Sequence, residues 1–237
     1  MKIELWRKVI LAIEAAIPEY DQVNERVSLG QALKARRYAA DNLGLTEGMI
    51  VLDAGIGPGT MSEILLSKSV DIRLVGLDAS IKLLRSARAR LKPTYNDVID
   101  LVLATFEALP FKERTFQRIV SAYAFRDSRD RALAIDEFSR ASSNDATFTL
   151  VDLGKPDSIL KRFFITVYIR FIMPLIASWL KSEVIKGNPW RMIVPTYQAL
   201  LRNRDLVSSL RKRFADVKLR EVALGALVII VARKFES

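Results

Sequence analysis

Short apolar runs alternate with amphipathic stretches through the middle of the chain. Each apolar run is too short for a helix and predicts a buried strand, whereas apolar residues that recur every three or four positions predict helices. Five strands are expected near 49–53, 72–77, 99–104, 117–123 and 146–152, with a turn at 142–145 leading into the fifth, and three helices near 60–68, 80–91 and 130–142. Because strands and helices alternate, the pattern predicts an α/β fold in which helices cover both faces of a parallel sheet.

The two ends of the chain add elements to this core. Apolar positions at helical spacing predict helices over 3–16 and 21–43, and Trp6 lies on the apolar face of the first. We interpret these helices as an N-terminal helical cap, residues 1–46, before a core at 47–155. The C-terminal part, residues 196–237, is expected to contain a helix at 198–214, with Leu201 among its inward-facing residues, and strands at 216–222 and 225–234. These two strands form an antiparallel pair that closes the sheet and brings the expected total to seven.

A strongly apolar segment lies between strands 5 and 6. Residues 156–195 are expected to form a helical insert in which Pro174 kinks or ends a first helix and a second helix covers 175–186. A narrow polar stripe is formed by Arg162, Thr166 and Arg170. The apolar stretch, about 18 residues with an arginine and a proline, does not predict a membrane-spanning helix. Three interpretations stay open: a lid over an apolar substrate, a patch that lies on a membrane, or a buried core helix.

Length and composition limit the number of domains and the side chains that can take part in catalysis. A chain of 237 residues is long enough for one α/β domain with a sizeable core, so a single domain is predicted. The absence of cysteine and histidine excludes disulfides and a thiolate nucleophile, and removes the commonest general base and metal ligand. No metal site is therefore predicted, and proton transfer has to use a carboxylate, tyrosine, lysine, arginine or water. The N-terminus lacks a signal cleavage site, which predicts a cytoplasmic protein.

Positive charge is concentrated in the last third of the chain. Residues 1–150 contain 21 Lys and Arg against 20 Asp and Glu, whereas residues 151–237 contain 16 against 7. Such a surface favours an anionic membrane, with peripheral contact at its inner face, or a nucleic acid. A charged, solvated face without a partner explains the same pattern.

The segment Val51–Thr60, VLDAGIGPGT, carries the strongest chemical signal. It follows an apolar run and opens a predicted helix, and its three alternating glycines allow positive φ and close approach of a ligand to the backbone. About twenty residues later, Asp78 ends the second predicted strand, where its carboxylate can accept hydrogen bonds from a ribose diol. These features predict a nucleotide-like cofactor at the carboxyl ends of the first two strands.

The glycine spacing bears on which cofactor is bound. A dinucleotide fold uses G-x-G-x-x-G, but Thr60 stands where the third glycine would be. Asp53, two residues before the first glycine, would repel a pyrophosphate and suits the positive charges of S-adenosylmethionine. A dehydrogenase and a merely structural turn are the alternatives. The pattern D-x-G-x-G-x-G followed by a strand-terminal acid resembles class I S-adenosylmethionine-dependent methyltransferases, which implies a Rossmann-like, seven-stranded, mostly parallel sheet.

Four further segments resemble the ubiquinone/menaquinone-biosynthesis C-methyltransferase family in order and spacing. They are YDQVNERVSLG at 20–30, EALPF at 107–111, SAYAFRDSRDRAL at 121–133 and VDLGKP at 151–156. The resemblance covers nearly the whole chain. It implies methyl transfer from S-adenosylmethionine, with S-adenosylhomocysteine as product, to a ring carbon of a prenylated quinol. A prenylated acceptor would account for the apolar insert.

The resemblance also implies individual site residues. The cofactor-binding residues are expected to be Asp53, Gly55, Gly57, Pro58, Gly59, Asp78, Ala79, Thr105, Phe106 and Ala122. The catalytic residues are expected to be Arg126, Asp127 and Tyr20. Arginine stays protonated and would stabilise a phenolate, Asp127 would act as the base, and Tyr20 would be a hydrogen-bonding partner. The alternative is a surface charge cluster formed by Arg126, Asp127, Arg129 and Asp130.

Other functions share these motifs. The sequence does not distinguish a methyltransferase for another lipid or phenolic small molecule, or a protein that binds the cofactor without chemistry. A nucleic-acid methyltransferase fits the charge, but the segment after the fourth strand lacks an Asn/Asp-Pro-Pro-aromatic motif and no aromatic-rich basic module is visible. The lack of cysteine also excludes a covalent pyrimidine adduct. A hydrophobic small molecule is therefore the expected partner, and the oligomeric state is not predicted.

Overall fold

One seven-stranded sheet forms the centre of the protein in the computed structural model, which describes residues 3–178 and 192–234. In chain order the strands are β1 Met49–Ala54, β2 Ile72–Asp78, β3 Ile99–Leu103, β4 Phe116–Ala122, β5 Ser142–Leu153, β6 Asp216–Val222 and β7 Leu227–Arg233. They lie side by side in the order β3-β2-β1-β4-β5-β7-β6. Strands β1 to β5 run parallel, and β7 is antiparallel to both β5 and β6. The predicted mostly parallel sheet with a closing antiparallel pair is confirmed.

Helices connect the strands and cover both faces of the sheet. In chain order they are α1 Ile3–Ala16, α2 Tyr20–Val27, α3 Gln31–Asp41, α4 Thr60–Leu66, α5 Ile81–Tyr95, α6 Arg131–Ala141, α7 Ile159–Val167, α8 Met173–Ser178, α9 Ile193–Gln198 and α10 Asn203–Leu210. Helices α3, α4 and α5 pack on one face through buried side chains such as Ala39, Leu65 and Leu91. Helices α6 and α10 pack on the other face, where Phe138 and Leu210 are buried. The prediction of helices on both faces is therefore confirmed.

The strand order brings the carboxyl ends of three strands together. Strand β1 lies between β2 and β4. Asp53, near the end of β1, is in register with Gly76 of β2 and Val120 of β4. The loops that follow these three strands therefore open onto one edge of the sheet, the position at which open α/β sheets bind their ligands.

The expected single helix over 21–43 is wrong, because the chain forms two helices there. Leu29 and Gly30 have φ values of +52° and +78°, and residues in this left-handed region end a helix. Helix α3 then starts with the Leu33 N–H donating to Oε2 of Glu25 at 3.0 Å. The break matters for the site because Leu29 lines a cavity described below.

Two expectations about the second half of the chain also need correction. Residues 142–145, expected as a turn, are the first part of β5, where the strand pairs with Phe116 of β4 before an irregularity in the register. Such a bulge lets turn-forming residues continue a strand. The expected helix at 198–214 is shorter, because α10 covers Asn203–Leu210. Leu201, expected to point inward, precedes the helix and is exposed.

The apolar segment after β5 forms a continuous helical stretch that Pro174 does not end. A π-helical turn at 168–172 joins α7 to α8, and the Met173 N–H donates to Tyr168 O, five residues back. Proline lacks an N–H and its ring collides with the carbonyl four residues earlier, which a wider turn relieves. Of the expected second helix at 175–186, the part after residue 178 lies outside the described residues. None of the described helices has the length and apolar character needed to cross a membrane.

Candidate functional site

A sharp turn between β1 and α4 holds the glycine motif. Gly55 has a φ of +80°, a conformation that favours glycine. A Cβ at this position would lie 2.3 Å from Cβ of Ala124 and 3.0 Å from the ring of Phe106. The turn is tied to β2 because the N–H groups of Gly55 and Ile56 donate to Leu77 O at 2.8 and 2.9 Å. A larger residue than glycine therefore does not fit at position 55.

The two acidic residues of the motif occupy different places. Asp78, at the end of β2, accepts hydrogen bonds from the N–H groups of Gly57 and Ser80, both at 2.9 Å, and lines a cavity. Asp53 is fully buried beneath the turn, and its Oδ2 accepts a hydrogen bond from Oγ of Ser62 at 2.6 Å. Burial raises the pKa of Asp53 to about 6, although the Ser62 hydrogen bond opposes this shift. Among the described residues its Oδ1 has no hydrogen-bond partner.

This cavity, the first cavity, lies over the carboxyl ends of β1, β2 and β4. Most of the predicted site residues line it: Tyr20, Gly55, Gly57, Pro58, Asp78, Ala79, Thr105, Phe106, Ala122 and Asp127. Asp53 and Gly59 belong to the turn without lining the cavity, and Arg126 lines a neighbouring one. The structure therefore brings most of the predicted cofactor-binding residues to one place.

Helix α1 covers the first cavity. Its side chains Trp6, Ile10 and Ile13 project into the cavity, whose free volume is about 70 Å³. Sites for small molecules usually have volumes of roughly 300–1,000 Å³. The helix is held in place by Glu14, whose Oε1 accepts a hydrogen bond from Oγ of Ser80 at 2.6 Å. These side chains of α1 therefore restrict the space that a ligand can occupy in the first cavity.

A second cavity of about 360 Å³ lies beside the first. Tyr20 and Tyr123 line both cavities. The other walls are largely apolar and come mainly from α2, α7, the π-helical turn and the loop before β7; they include Val27, Leu29, Phe164, Ile165, Ile169, Met173, Leu224 and Leu227. The cavity therefore suits an apolar molecule, one end of which would reach the boundary that the two tyrosines form.

Arg126 and Asp127 follow β4 and lie at this boundary. Arg126 lines the second cavity, and its Nη1 donates to Tyr123 O at 2.7 Å and to Oδ1 of Asp152 at 2.9 Å. Asp127 lines the first cavity, with its carboxylate 3.7 Å from Nε of Arg126. Neither carboxylate oxygen of Asp127 has a hydrogen-bond partner among the described residues. A fixed cation and a carboxylate that accepts no hydrogen bond from the described residues thus stand side by side, one on each cavity.

Burial sets the charge states of this pair. It raises the pKa of Asp127 to about 6, although the neighbouring Arg126 opposes the shift. For Arg126, burial works against the positive charge, but the carboxylates of Asp127 and Asp152 outweigh it and raise the pKa above its ordinary value. At neutral pH Arg126 is therefore a permanent cation. Asp127 is a carboxylate close to its pKa, which is the property that a general base needs.

The four charged residues 126, 127, 129 and 130 do not form one surface cluster. Arg129 and Asp130 bond elsewhere: their N–H groups donate to Oε1 of Glu107 at 2.7 and 3.1 Å. The side chain of Asp130 caps α6 by accepting hydrogen bonds from the helix's first turn. Arg126, whose side chain is 11% exposed, and the buried Asp127 belong to the cavity boundary instead.

Several residues of the site were not predicted from the sequence. Arg36, on α3, lines the first cavity. Tyr123 follows β4 with a φ of +63° and separates the cavities, and Asp152, on β5, fixes Arg126. Their roles depend on helix packing and strand order, for which a single sequence gives no local signal. The apolar periodicity of α1 did single out Trp6, but only as part of a packing face.

The glycine turn after β1, the acid at the end of β2 and the strand order define a class I S-adenosylmethionine-dependent methyltransferase. Solved structures with this fold include an S-adenosylmethionine-dependent methyltransferase from Thermotoga maritima, which matches with a TM-score of 0.64 and 19% identity over 94% of this chain and 98% of that one. Another, from Aquifex aeolicus, matches with a TM-score of 0.57 and 18% identity over 84% of this chain and 89% of that one. The sequence model of the ubiE/COQ5 methyltransferase family matches residues 6–226, and the chain belongs to this family.

Two relatives illustrate the similarity within the family. The chain is 28% identical to a demethylmenaquinone methyltransferase of Renibacterium salmoninarum over 72% of this chain and 69% of that one. It is 24% identical to a ubiquinone/menaquinone biosynthesis C-methyltransferase of Syntrophotalea carbinolica over 90% of this chain and 88% of that one. The protein is thus a methyltransferase that uses S-adenosylmethionine. The residues present fit this donor, because the Gly55 turn has no side chain that would block it and Asp78 presents a carboxylate in the first cavity.

Proposed function

We propose that the protein transfers the methyl group of S-adenosylmethionine to a ring carbon of a prenylated quinol. The observation that carries this proposal is the apolar second cavity, which meets the first at Tyr20 and Tyr123. An isoprenoid tail prefers apolar walls, and the quinol ring would then lie at the boundary beside the donor. The names of the two relatives, which act in menaquinone or ubiquinone synthesis, support the same class of acceptor.

The first cavity would hold the donor. Asp78 would bind the ribose diol. The methionine part would lie against the turn formed by Asp53, Gly55, Gly57, Pro58 and Gly59. Ala79, Thr105 and Phe106 would flank the adenine, and Ala122 would face the sulfonium. When bound, the donor supplies an electrophilic methyl group.

Residues at the boundary would act on the acceptor. Asp127 would take up the proton of a ring hydroxyl, which makes the adjacent ring carbon electron-rich. The Arg126 cation would stabilise the phenolate charge, and Tyr20 would hydrogen-bond to the same oxygen. The ring carbon would then form a bond to the methyl group that the donor supplies, as the sulfur–methyl bond breaks and its electron pair stays on sulfur. Loss of the proton from that ring carbon to water would restore the aromatic ring, and Asp127 would return its proton to the ring oxygen.

A substitution that fills the second cavity tests the assignment of the acceptor site. Ile169 is buried and lines the second cavity, whereas Ile172, on the same π-helical turn, is 45% exposed. Ile169→Trp is expected to lower methyl transfer to a reduced demethylmenaquinone at least tenfold and to leave the affinity for S-adenosylhomocysteine within about twofold. Ile172→Trp is the matched control and should leave both unchanged. Equal rates in the two variants would rule out the second cavity as the acceptor site.

The proposal includes peripheral contact with an anionic membrane on its inner, cytoplasmic face. The apolar insert 156–195 would provide this contact through its described helical stretch, where Ile159, Phe163, Phe171 and Leu175 are 60–77% exposed. An exposed apolar face beside basic residues is typical of helices that lie on a membrane surface. The second cavity is lined by three further exposed apolar side chains, Leu29, Phe164 and Leu224. A quinol could therefore pass from the lipid into the cavity.

Vesicle binding tests this contact. Phe163→Ser with Phe171→Ser is expected to reduce sedimentation with phosphatidylglycerol vesicles severalfold, because two aromatic side chains no longer enter the lipid. Leu219→Ser, on strand β6, changes an exposed residue away from this helix and serves as the control. Phosphatidylcholine vesicles should bind the unaltered protein less well, since they lack the negative charge. If the double variant binds phosphatidylglycerol as well as the unaltered protein does, the helix is not the contact.

A further inference from the structure

Arg36 is a buried cation whose guanidinium is not hydrogen-bonded to an acid in the part of the chain that the structure describes. The residue is 4% exposed, yet none of the described residues accepts a hydrogen bond from its side chain. The guanidinium lies over the ring of Tyr123, 4.4 Å from the ring centroid. Buried arginines normally meet a carboxylate or phosphate in bidentate geometry, so this one has unused donors.

The unused donors face the first cavity. Arg36 lines this cavity, and among its described lining residues it is the basic one. Tyr123, on which it stacks, follows β4, whereas Asp78 ends β2, on the other side of β1. Arg36 therefore lies towards the β4 side of β1 and Asp78 on its β2 side, and both line the first cavity.

In S-adenosylmethionine the ribose lies between the adenine and the amino-acid group, which carries an α-carboxylate and an ammonium. A donor whose ribose is bound by Asp78 could therefore direct its amino-acid group past the glycine turn towards Arg36. We propose that Arg36 binds the α-carboxylate of the donor, and that Tyr123 holds the guanidinium in position. This inference concerns the donor and holds whichever acceptor the protein methylates.

Asp53 is the second charged residue of this arrangement. Its buried carboxylate interacts electrostatically with Arg36 across the turn without a direct hydrogen bond between them. Asp53 and Arg36 then complement the donor's amino-acid group. Asp53 would lie on the side of the ammonium, and the guanidinium of Arg36 would lie near the α-carboxylate. Such complementarity selects an intact amino-acid group over a ligand that lacks it.

Two ligands that differ only in the carboxylate test the proposal. S-Adenosylhomocysteine carries it, and S-adenosyl-3-thiopropylamine, its decarboxylated form, does not. By isothermal titration calorimetry, Arg36→Gln is expected to weaken binding of S-adenosylhomocysteine roughly ten- to hundredfold, the usual effect of losing a charge-assisted hydrogen bond. Binding of the decarboxylated ligand should change less than about twofold. Arg37→Gln, on the exposed side of the same helix, should alter neither affinity.

The outcomes separate a binding role from a structural one. Equal weakening for both ligands, or no weakening for either, would overturn the proposal, because a residue that only packs against Tyr123 cannot sense the carboxylate. If Arg36→Gln does not fold, Arg36→Lys decides the question. It keeps the charge but loses the planar fork, so it should weaken S-adenosylhomocysteine selectively and by a smaller factor. A loss shared by both ligands in that variant would again contradict the proposal.

Discussion

Asp127→Asn is expected to gain stability relative to the unaltered protein as the pH rises from 4 to 8, and to be much less active. Burial raises the pKa of Asp127 from 3.8 to about 6, so the folded protein holds this proton more tightly than the unfolded chain does. The contribution of Asp127 to the free energy of unfolding is therefore fully present below about pH 4 and is lost as the pH rises through 6. A shift of about two pKa units corresponds to about 3 kcal/mol. Asparagine is neutral throughout and avoids this loss.

Urea unfolding followed by circular dichroism measures the effect. The difference in unfolding free energy between Asp127→Asn and the unaltered protein should grow by about 3 kcal/mol in favour of the variant between pH 4 and pH 8. The buried Asp53 also titrates near pH 6, but it is present in both proteins and cancels in the difference. Asp71→Asn, an exposed substitution, should stay within about 0.5 kcal/mol of the unaltered protein.

Methyl transfer by the same variant tests the role of Asp127 as a general base. In the unaltered protein the rate should rise with pH through about 6, as Asp127 loses its proton and becomes able to accept another. Asp127→Asn should lower the rate roughly 10²- to 10⁴-fold and remove this rise. A stability difference that does not change with pH would refute the raised pKa. An unchanged rate at pH 7.5 would refute the role of Asp127 as base.

Four substitutions test other parts of the site. Asp78→Asn should weaken S-adenosylhomocysteine binding at least tenfold in calorimetry, and unchanged affinity would remove Asp78 from the donor site. Arg126→Lys should lower methyl transfer at least tenfold with donor affinity nearly constant, whereas equal losses in both would indicate a structural role. Gly55→Ala should cost about 2 kcal/mol more in urea unfolding than Gly48→Ala, since both have φ near +80° but only Gly55 has a close neighbour; equal costs would contradict the packing argument. Trp6→Phe should reduce the change in tryptophan fluorescence on donor binding, because Trp6 lines the first cavity while Trp179 and Trp190 remain; a change as large as that of the unaltered protein would show that Trp6 does not report on the donor.

Local chemistry made the cofactor site predictable. The turn at Gly55 needs positive φ and has no room for a side chain, so the structural requirement appears directly in the residue type. Asp78 was predictable because the first two strands of such a sheet are parallel neighbours. The end of the second strand therefore lies beside the turn that follows the first. In the structure it bonds to that turn through the N–H of Gly57 at 2.9 Å. Both signals lie within about thirty residues of sequence, as a βαβ unit requires.

Roles set by distant packing were not predictable. Asp152 acts on Arg126 only because β5 lies beside β4, and Arg36 reaches the first cavity only because α3 packs beneath Tyr123. Local preference also misled the assignment of 142–145, where turn-forming residues are drawn into β5 by pairing with β4. Likewise Pro174 suggested a helix end, but a π-helical turn accommodated it. In each case tertiary structure overrode the local signal.

The most direct test of the proposed function is the identity of the methylated product. The protein would be incubated with S-adenosylmethionine labelled as CD₃ and a reduced demethylmenaquinone in phosphatidylglycerol vesicles, with total RNA as a parallel acceptor. Mass spectrometry and NMR would then locate the label. A CD₃ group on a ring carbon of the quinone and no label in the RNA are expected. C-methylation of a quinol would be contradicted by label on a ring oxygen, by label in the RNA alone, or by no label in the quinone despite measured donor binding.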